Sequence, residues 1–316
     1  MAVRCLISAS SYLRGRWSEP YATRRTTGEV PEELSFHTKP QLAGQMLTML
    51  RDEAIIPFKY VVADCLYGNS PAFPEAVERY IGLTYCVAVP AETRCGLQGS
   101  VVKEQPYQYK GETRTERQVV APAQLPLALT TIAQGSPGCC WYRRTVSDGT
   151  KGPIVYEFTE RRVTLCRDGL PERVVWLVCK RTVGEAPTYW YYISNAPLSS
   201  RLPCFVCLSG VRWAVEQCFE EAKTELGMDQ YEIRKYAGWH HHMLTCILAH
   251  FFLWHLKIRL GKKAPALTVS QVRKLLDVVL PQRILSLDDV LTLIAWVQRR
   301  NHCACRAHRK RRATEG

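Results

Sequence analysis

Residues 61–68 read Val61-Val62-Ala63-Asp64-Cys65-Leu66-Tyr67-Gly68. An apolar, β-branched run ends in a carboxylate and is followed by a Tyr-Gly pair. Short apolar runs of this kind form buried strands, and open α/β sheets present functional groups just past the carboxyl ends of their strands. Asp64 is therefore a candidate site residue; the alternative is an Asp that caps the turn behind it. The flanking sequence supplies the rest of an α/β layer. Lys39–Arg51 carries Leu42, Met46, Leu47 and Leu50 at helical spacing, Ala72–Tyr80 reads as a second helix and Leu83–Val89 as another strand. Upstream, Val3–Ala9 reads as a strand, followed by a loop through Pro31.

Near Ala91 the character changes. Ile154–Thr159, Arg162–Cys166, Val174–Cys179 and Tyr189–Ile193 are short β-branched and aromatic runs, with Asp148-Gly149 and Asp168-Gly169 as turns. We read residues 91–200 as a β-rich insertion into an α/β core that begins within 1–90 and is completed within 201–260. Residues 261–316 form C-terminal helices and a basic tail. Thr268 with Gln271, and Ser286 with Asp289, mark two helix starts there.

The second informative stretch is Arg212 to Lys223, R-W-A-V-E-Q-C-F-E-E-A-K. At about 100° per residue, Arg212, Glu216 and Lys223 fall within roughly 40° of one another on a helix. Val211, Val215, Phe219, Ala222 and Leu226 form the adjoining apolar arc, and Gly227 is a plausible C-terminal stop. A half-sheltered carboxylate between two cations suits a metal ion beside phosphate oxygens; a solvated face with i,i+4 ion pairs gives the same pattern.

The bulk numbers point the same way. The chain has 316 residues and a formal net charge of +13, with a pI near 9.2, which favours a polyanionic partner, usually nucleic acid. Its 14 Cys lack a disulfide-framework spacing and read mostly as small apolar fillers in a reducing compartment. Cys204-Phe205-Val206-Cys207 is a lone C-x-x-C. The apolar run Met243–Leu256 is too short to span a bilayer. His240-His241-His242 cannot converge on one ion, because neighbouring helical positions diverge by about 100°. His302, Cys303, Cys305 and His308 have zinc-like chemistry at no standard spacing. No Gly-rich phosphate loop and no G-x-S-x-G elbow occurs.

Taken together, these residues resemble the DDE transposases of bacterial insertion sequences, in the subgroup with a Y-x2-R-x3-E-x6-K signature. Arg212, Glu216 and Lys223 match its R, E and K, while Ser209 stands where the Tyr belongs. Asp64 with Tyr67-Gly68 resembles the family's second Asp. Tyr231-Glu232-Ile233-Arg234 with Gly238-Trp239-His240, and Val30-Pro31-Glu32-Glu33 with Phe36-His37-Thr38-Lys39, are similar to its flanking sequence. The resemblance implies an RNase H-like mixed sheet with helices, and metal-dependent phosphoryl transfer at transposon ends. Asp64 and Glu216 would be the catalytic metal ligands for Mg²⁺ or Mn²⁺. Arg212, Lys223, Arg234 and Lys235 would contact double-stranded DNA. It further implies a homodimer on DNA in the bacterial cytoplasm, associated with the nucleoid.

The family's first Asp, on the first strand of its fold, has no counterpart. Asp52 is the only Asp before Asp64, and it ends the Lys39 helix. The expectation is a chain lacking the first two strands and the first carboxylate, hence an N-terminally truncated and inactive transposase. The alternative is a non-catalytic DNA-binding protein or regulator derived from one.

Overall fold

The computed structural model describes residues 22–53, 56–96, 101–110, 112–120, 126–149, 152–232, 234–264, 266–280 and 286–315. The strand read over Val3–Ala9 lies outside the described residues. The Val61 run forms β1 (Tyr60–Ala63), which pairs in parallel with β2 (Thr84–Val89), Val62 opposite Cys86 and Ala63 opposite Val87. Between them run α3 (Cys65–Gly68) and α4 (Ala72–Glu78). Before β1 come α1 (Ala22–Thr27), in a stretch read as loop, and α2 (Lys39–Asp52). Thr38 starts α2 with a reciprocal cap to Gln41.

Most strands of the 91–200 region extend this sheet, and two of them form a second one. They are β3 (Arg94–Gly96), β4 (Val101–Tyr109), β5 (Glu112–Val120), β6 (Leu127–Ala128), β7 (Tyr142–Gly149), β8 (Gly152–Arg167), β9 (Leu170–Thr182) and β10 (Tyr189–Ser194); α5 (Leu129–Gln134) lies among them. The sheet runs β1-β2-β10-β9-β8-β3-β6, with β7 on β8, while β4 and β5 pair only with each other. β10 lies antiparallel to β2, Tyr192 opposite Ala88. Asn195 fixes that junction: its Oδ1 accepts from Tyr85 N at 2.8 Å and its Nδ2 donates to Leu83 O at 3.1 Å. Two of the runs read separately, Ile154–Thr159 and Arg162–Cys166, are one continuous strand, β8. Asp168 and Gly169 take positive φ (51° and 78°) in a two-residue loop joining β8 to β9, the geometry such hairpins require. Asp148 and Gly149, read as a turn, instead end β7 in register with Pro153 and Gly152.

Alternation along the strands gives the sheet two buried faces. Tyr85, Val87 and Val89 pack with Phe73, Val77, Leu129 and Ile132 from α4 and α5. Cys86, Phe158, Val178 and Tyr192 pack with Leu202, Phe205, Val206 and Leu208 of α6 (Leu202–Val211) on the other. Helices on both faces of a mixed sheet, with a helical C-terminal region, are consistent with an RNase H-like fold.

α7 (Trp213–Leu226) follows α6, and α8 (Tyr236–Gly261) comes next. The chain divides into two compact units, Met1–His250 and Phe251–Gly316. In the second, α9 (Val269–Val279) starts at a Thr268–Gln271 capping box and buries Val269 and Val272. α10 (Leu287–Glu315) starts where Ser286 and Asp289 cap each other, and the basic tail from Arg299 is its last half. α8 exceeds the apolar run Met243–Leu256 at both ends. It is long and apolar enough to cross a membrane by length and composition, a test that core helices of soluble proteins also pass. The thirteen described cysteines are all free. Cys86, Cys95, Cys179 and Cys246 are buried as fillers, while Cys65, Cys139, Cys207, Cys303 and Cys305 are exposed.

Candidate functional site

Asp64 leaves β1 at its carboxyl end and caps α3. Its backbone is extended (φ −83°, ψ −176°), and its Oδ1 accepts from Leu66 N at 2.9 Å. The carboxylate is exposed, with its second oxygen free of protein hydrogen bonds among the described residues. Both readings of this residue therefore hold at once: it caps the turn, and it stands at the end of a strand where a ligand can reach it. The Tyr-Gly pair has a packing reason. Tyr67 tilts onto Phe73 with ring centroids 5.2 Å apart. Gly68 lies so close to β2 that a Cβ there would stand 1.9 Å from Ala88 O. Burial raises the pKa of Cys65 and of Tyr67, and the Asp64 charge raises both further; for Cys65 the charge of Arg212 opposes the rise.

That last effect brings α7 to the site. Arg212 is the single residue between α6 and α7, with helical angles of its own (φ −57°, ψ −35°) and no side-chain cap. Its positive charge acts on Cys65, on Tyr192 of β10 and on Lys180 of β9. Arg212 follows directly on α6, which packs against β1, β2 and β8. Arg212 Nη1 pairs with Glu216 Oε1 at 2.6 Å across one turn. With the two side chains 39% and 55% exposed, the pair adds at most about 1 kcal/mol. Lys223 is exposed farther along the same helix.

The expected half-sheltered position of Glu216 is not what forms. Val215 and Phe219 of the apolar arc remain exposed, and only Ala222 is buried, against Met228 and Cys246. Glu216 stands in solvent beside its Arg212 partner. Gly227 does stop the helix: its φ of 64° lets Met228 N reach back to Ala222 O at 3.1 Å. Ser209, at the Tyr position of the signature, is buried and donates to Val206 O at 2.9 Å, so its hydroxyl is spent within its own helix. Arg234 and Lys235 are exposed before α8. Lys235 is ion-paired with Glu29, and Tyr236 N donates to Gly28 O at 2.8 Å, tying this stretch to the end of α1. Trp239 is half-buried and meets the His240 ring edge-on at 5.0 Å.

The donor set can be tested against a divalent metal. Asp64 and Glu216 offer hard oxygens of the right type for Mg²⁺ or Mn²⁺. No hydrogen bond or ion pair joins them, and Glu216 is engaged by Arg212. Among the described residues no group of three or more His, Cys, Asp or Glu side chains could hold a metal ion. Two carboxylates fall short of a clamp for two ions, so the donor set among the described residues does not fit the metal pair.

Lys180 escaped the sequence reading because β9 was expected to end at Cys179. The available signal was period two: Trp176, Val178 and Lys180 share one face with Trp190 and Tyr192.

Among curated proteins none matches the chain. Residues 1–153 match the family model described as DDE superfamily endonuclease, a stretch that contains Asp64 and ends before Arg212 and Glu216. Over these residues, just under half of the chain, the sequence is similar to DDE-type, transposase-like endonucleases.

Proposed function

We propose that the chain is a transposase-type DNA-processing core of bacterial insertion-sequence origin, in which Asp64 and Glu216 are two of three carboxylates. The observation that carries this reading is the exposed Asp64 at the carboxyl end of β1, inside the stretch that matches the DDE endonuclease model. Arg212 and Lys223 hold backbone phosphates of double-stranded DNA, and Arg234 contacts the same strand. Lys235 joins them only when released from Glu29. The basic half of α10 adds sequence-independent attraction. Two copies of the chain act on paired transposon ends in the nucleoid.

Asp64 and Glu216 by themselves fall short of a two-ion clamp, and DNA binding without cutting is the behaviour expected of them. A regulator that joins DNA without chemistry fits the same facts, and the net charge of +13 favours it equally. The test is nicking of supercoiled plasmid with Mg²⁺, alongside Glu216→Gln, together with DNA binding measured against salt. Salt-sensitive binding without nicking is the expected result. Nicking that disappears in Glu216→Gln would overturn the two-carboxylate assignment and reveal a third donor. Absence of DNA binding at low salt would overturn the whole reading.

A further inference from the structure

Lys180 is set in an unusual place. It lies on β9 opposite Phe158 of β8 and Trp190 of β10, on the face that α6 covers. Its Nζ stands 4.5 Å from the Tyr156 ring centroid, 4.6 Å from Trp190 and 5.8 Å from Tyr192. Tyr156 and Trp190 meet edge to face at 5.6 Å and form a wall behind the ammonium. No carboxylate pairs with Lys180 among the described residues. The charge that acts on it is another cation, Arg212, and burial, then that repulsion, lowers its pKa to about 8.

A sheltered ammonium without a counterion is unfavourable, and ring faces offset only part of the loss. Among the described residues, only Glu216 is ion-paired with either of these two cations. Lys180 also sits at the same end of the sheet as Asp64. Trp190, its cross-strand neighbour, precedes Tyr191, which pairs with Val89 at the carboxyl end of β2.

We infer that Lys180 and Arg212 form an anion subsite for a phosphate of the nucleic-acid backbone, walled by Tyr156, Trp190 and Tyr192, beside the carboxyl end of β1. This inference rests on the DNA-binding reading above and adds a contact that the helix signature does not contain. Bound phosphate oxygens accept from both cations and remove the repulsion between them. Lys180 is a binding residue in this account and takes no part in chemistry.

The test combines variants with chemical labelling of the intact chain. Lys180→Met keeps a long apolar side chain among the rings, and Lys180→Arg keeps the charge. Lys180→Met is expected to weaken binding of a short DNA duplex about threefold to tenfold and to lower the slope of log affinity against log salt by about one, with Lys180→Arg restoring that slope. In wild type, acylation of Lys180 followed by mass spectrometry is expected to slow several-fold when duplex or inorganic phosphate is present. This arm needs no variant and decides the matter if Lys180→Met does not fold. DNA binding with an unchanged slope in Lys180→Met and unprotected Lys180 would overturn the subsite and leave the proposed function standing. If wild type does not bind DNA, protection by inorganic phosphate alone would keep the anion subsite while the DNA reading falls; no protection would remove both.

Discussion

Gly68→Ala isolates the packing that holds Asp64 in place. Two effects oppose each other. Gly68 is the last residue of α3 and has no positive φ, so Ala would improve the local helix by about 1 kcal/mol. The added Cβ, however, would stand 1.9 Å from Ala88 O, 3.0 Å from Ala88 C and 3.2 Å from Val89 Cγ1. The blocking atom is backbone in a strand paired on both sides, so no rotamer change relieves it. Either α3 retreats by about 1 Å or β2 loses its register with Tyr192. Overpacking of this sort costs about 1–3 kcal/mol where side chains can yield, and more where backbone must move. The net expectation is a loss of about 2–4 kcal/mol. For a unit of this size, each kcal/mol lowers Tm by about 2–4 °C, so thermal unfolding should fall by roughly 4–15 °C. Amide exchange at Leu66 should accelerate as the Asp64 cap loosens. A Tm equal to wild type or higher would mean that helix propensity dominates, and would refute the close approach of α3 to β2.

Three other outcomes follow. Asp64→Asn and Glu216→Gln should each leave stability within about 0.5 kcal/mol, because Asn caps a helix as well as Asp and Glu216 is exposed; either should abolish cleavage in a chain supplied with a third carboxylate, and retained strand transfer would rule out the assignment. Glu157 accepts from Arg143 Nε at 3.0 Å and Arg181 Nε at 2.8 Å, and the Arg143 bond, then that of Arg181, depresses its pKa despite burial. A depressed carboxylate stabilises the fold above its unfolded pKa, about 4.3, and the benefit is lost as pH falls through the folded value; urea midpoints should drop below about pH 4.3, and Glu157→Gln should show a smaller drop over that window. Removing residues 299–316 should reduce DNA affinity at low salt and flatten its salt dependence by several phosphate contacts, measured by fluorescence anisotropy, with the Tm of the Met1–His250 unit unchanged.

The parts of this protein that were legible in its sequence are those fixed by near neighbours. β1, α2, the Thr268–Gln271 cap of α9, the Asp168-Gly169 hairpin and the Gly227 stop all follow from residues within a turn of each other. Long-range placement was not legible. Nothing near Tyr189 announces that β10 docks antiparallel on β2, because the bonds that hold it come from Asn195 to Leu83 and Tyr85. The apolar arc of α7 gave a face but not its cover, and Val215 and Phe219 stay exposed. At the site, Asp64 and the Arg212–Glu216 turn could be read from spacing. Lys180 could not, because its rings arrive from two other strands.

The one-residue joint at Arg212 ties the site to the core. Glu216 lies one turn, about 6 Å along the axis, beyond a hinge that has no loop to absorb motion. A tilt of about 10° in α6 therefore carries Glu216 by about 1 Å. The orientation of α6 is set by Leu202, Phe205, Val206 and Leu208 in the interior. Any substitution among these four becomes a lever on the carboxylate, and the reach of Glu216 cannot drift independently of how that layer is filled. Second-site suppressors of a misplaced Glu216 should accordingly map beneath the sheet-facing side of α6, at positions no DNA ever touches.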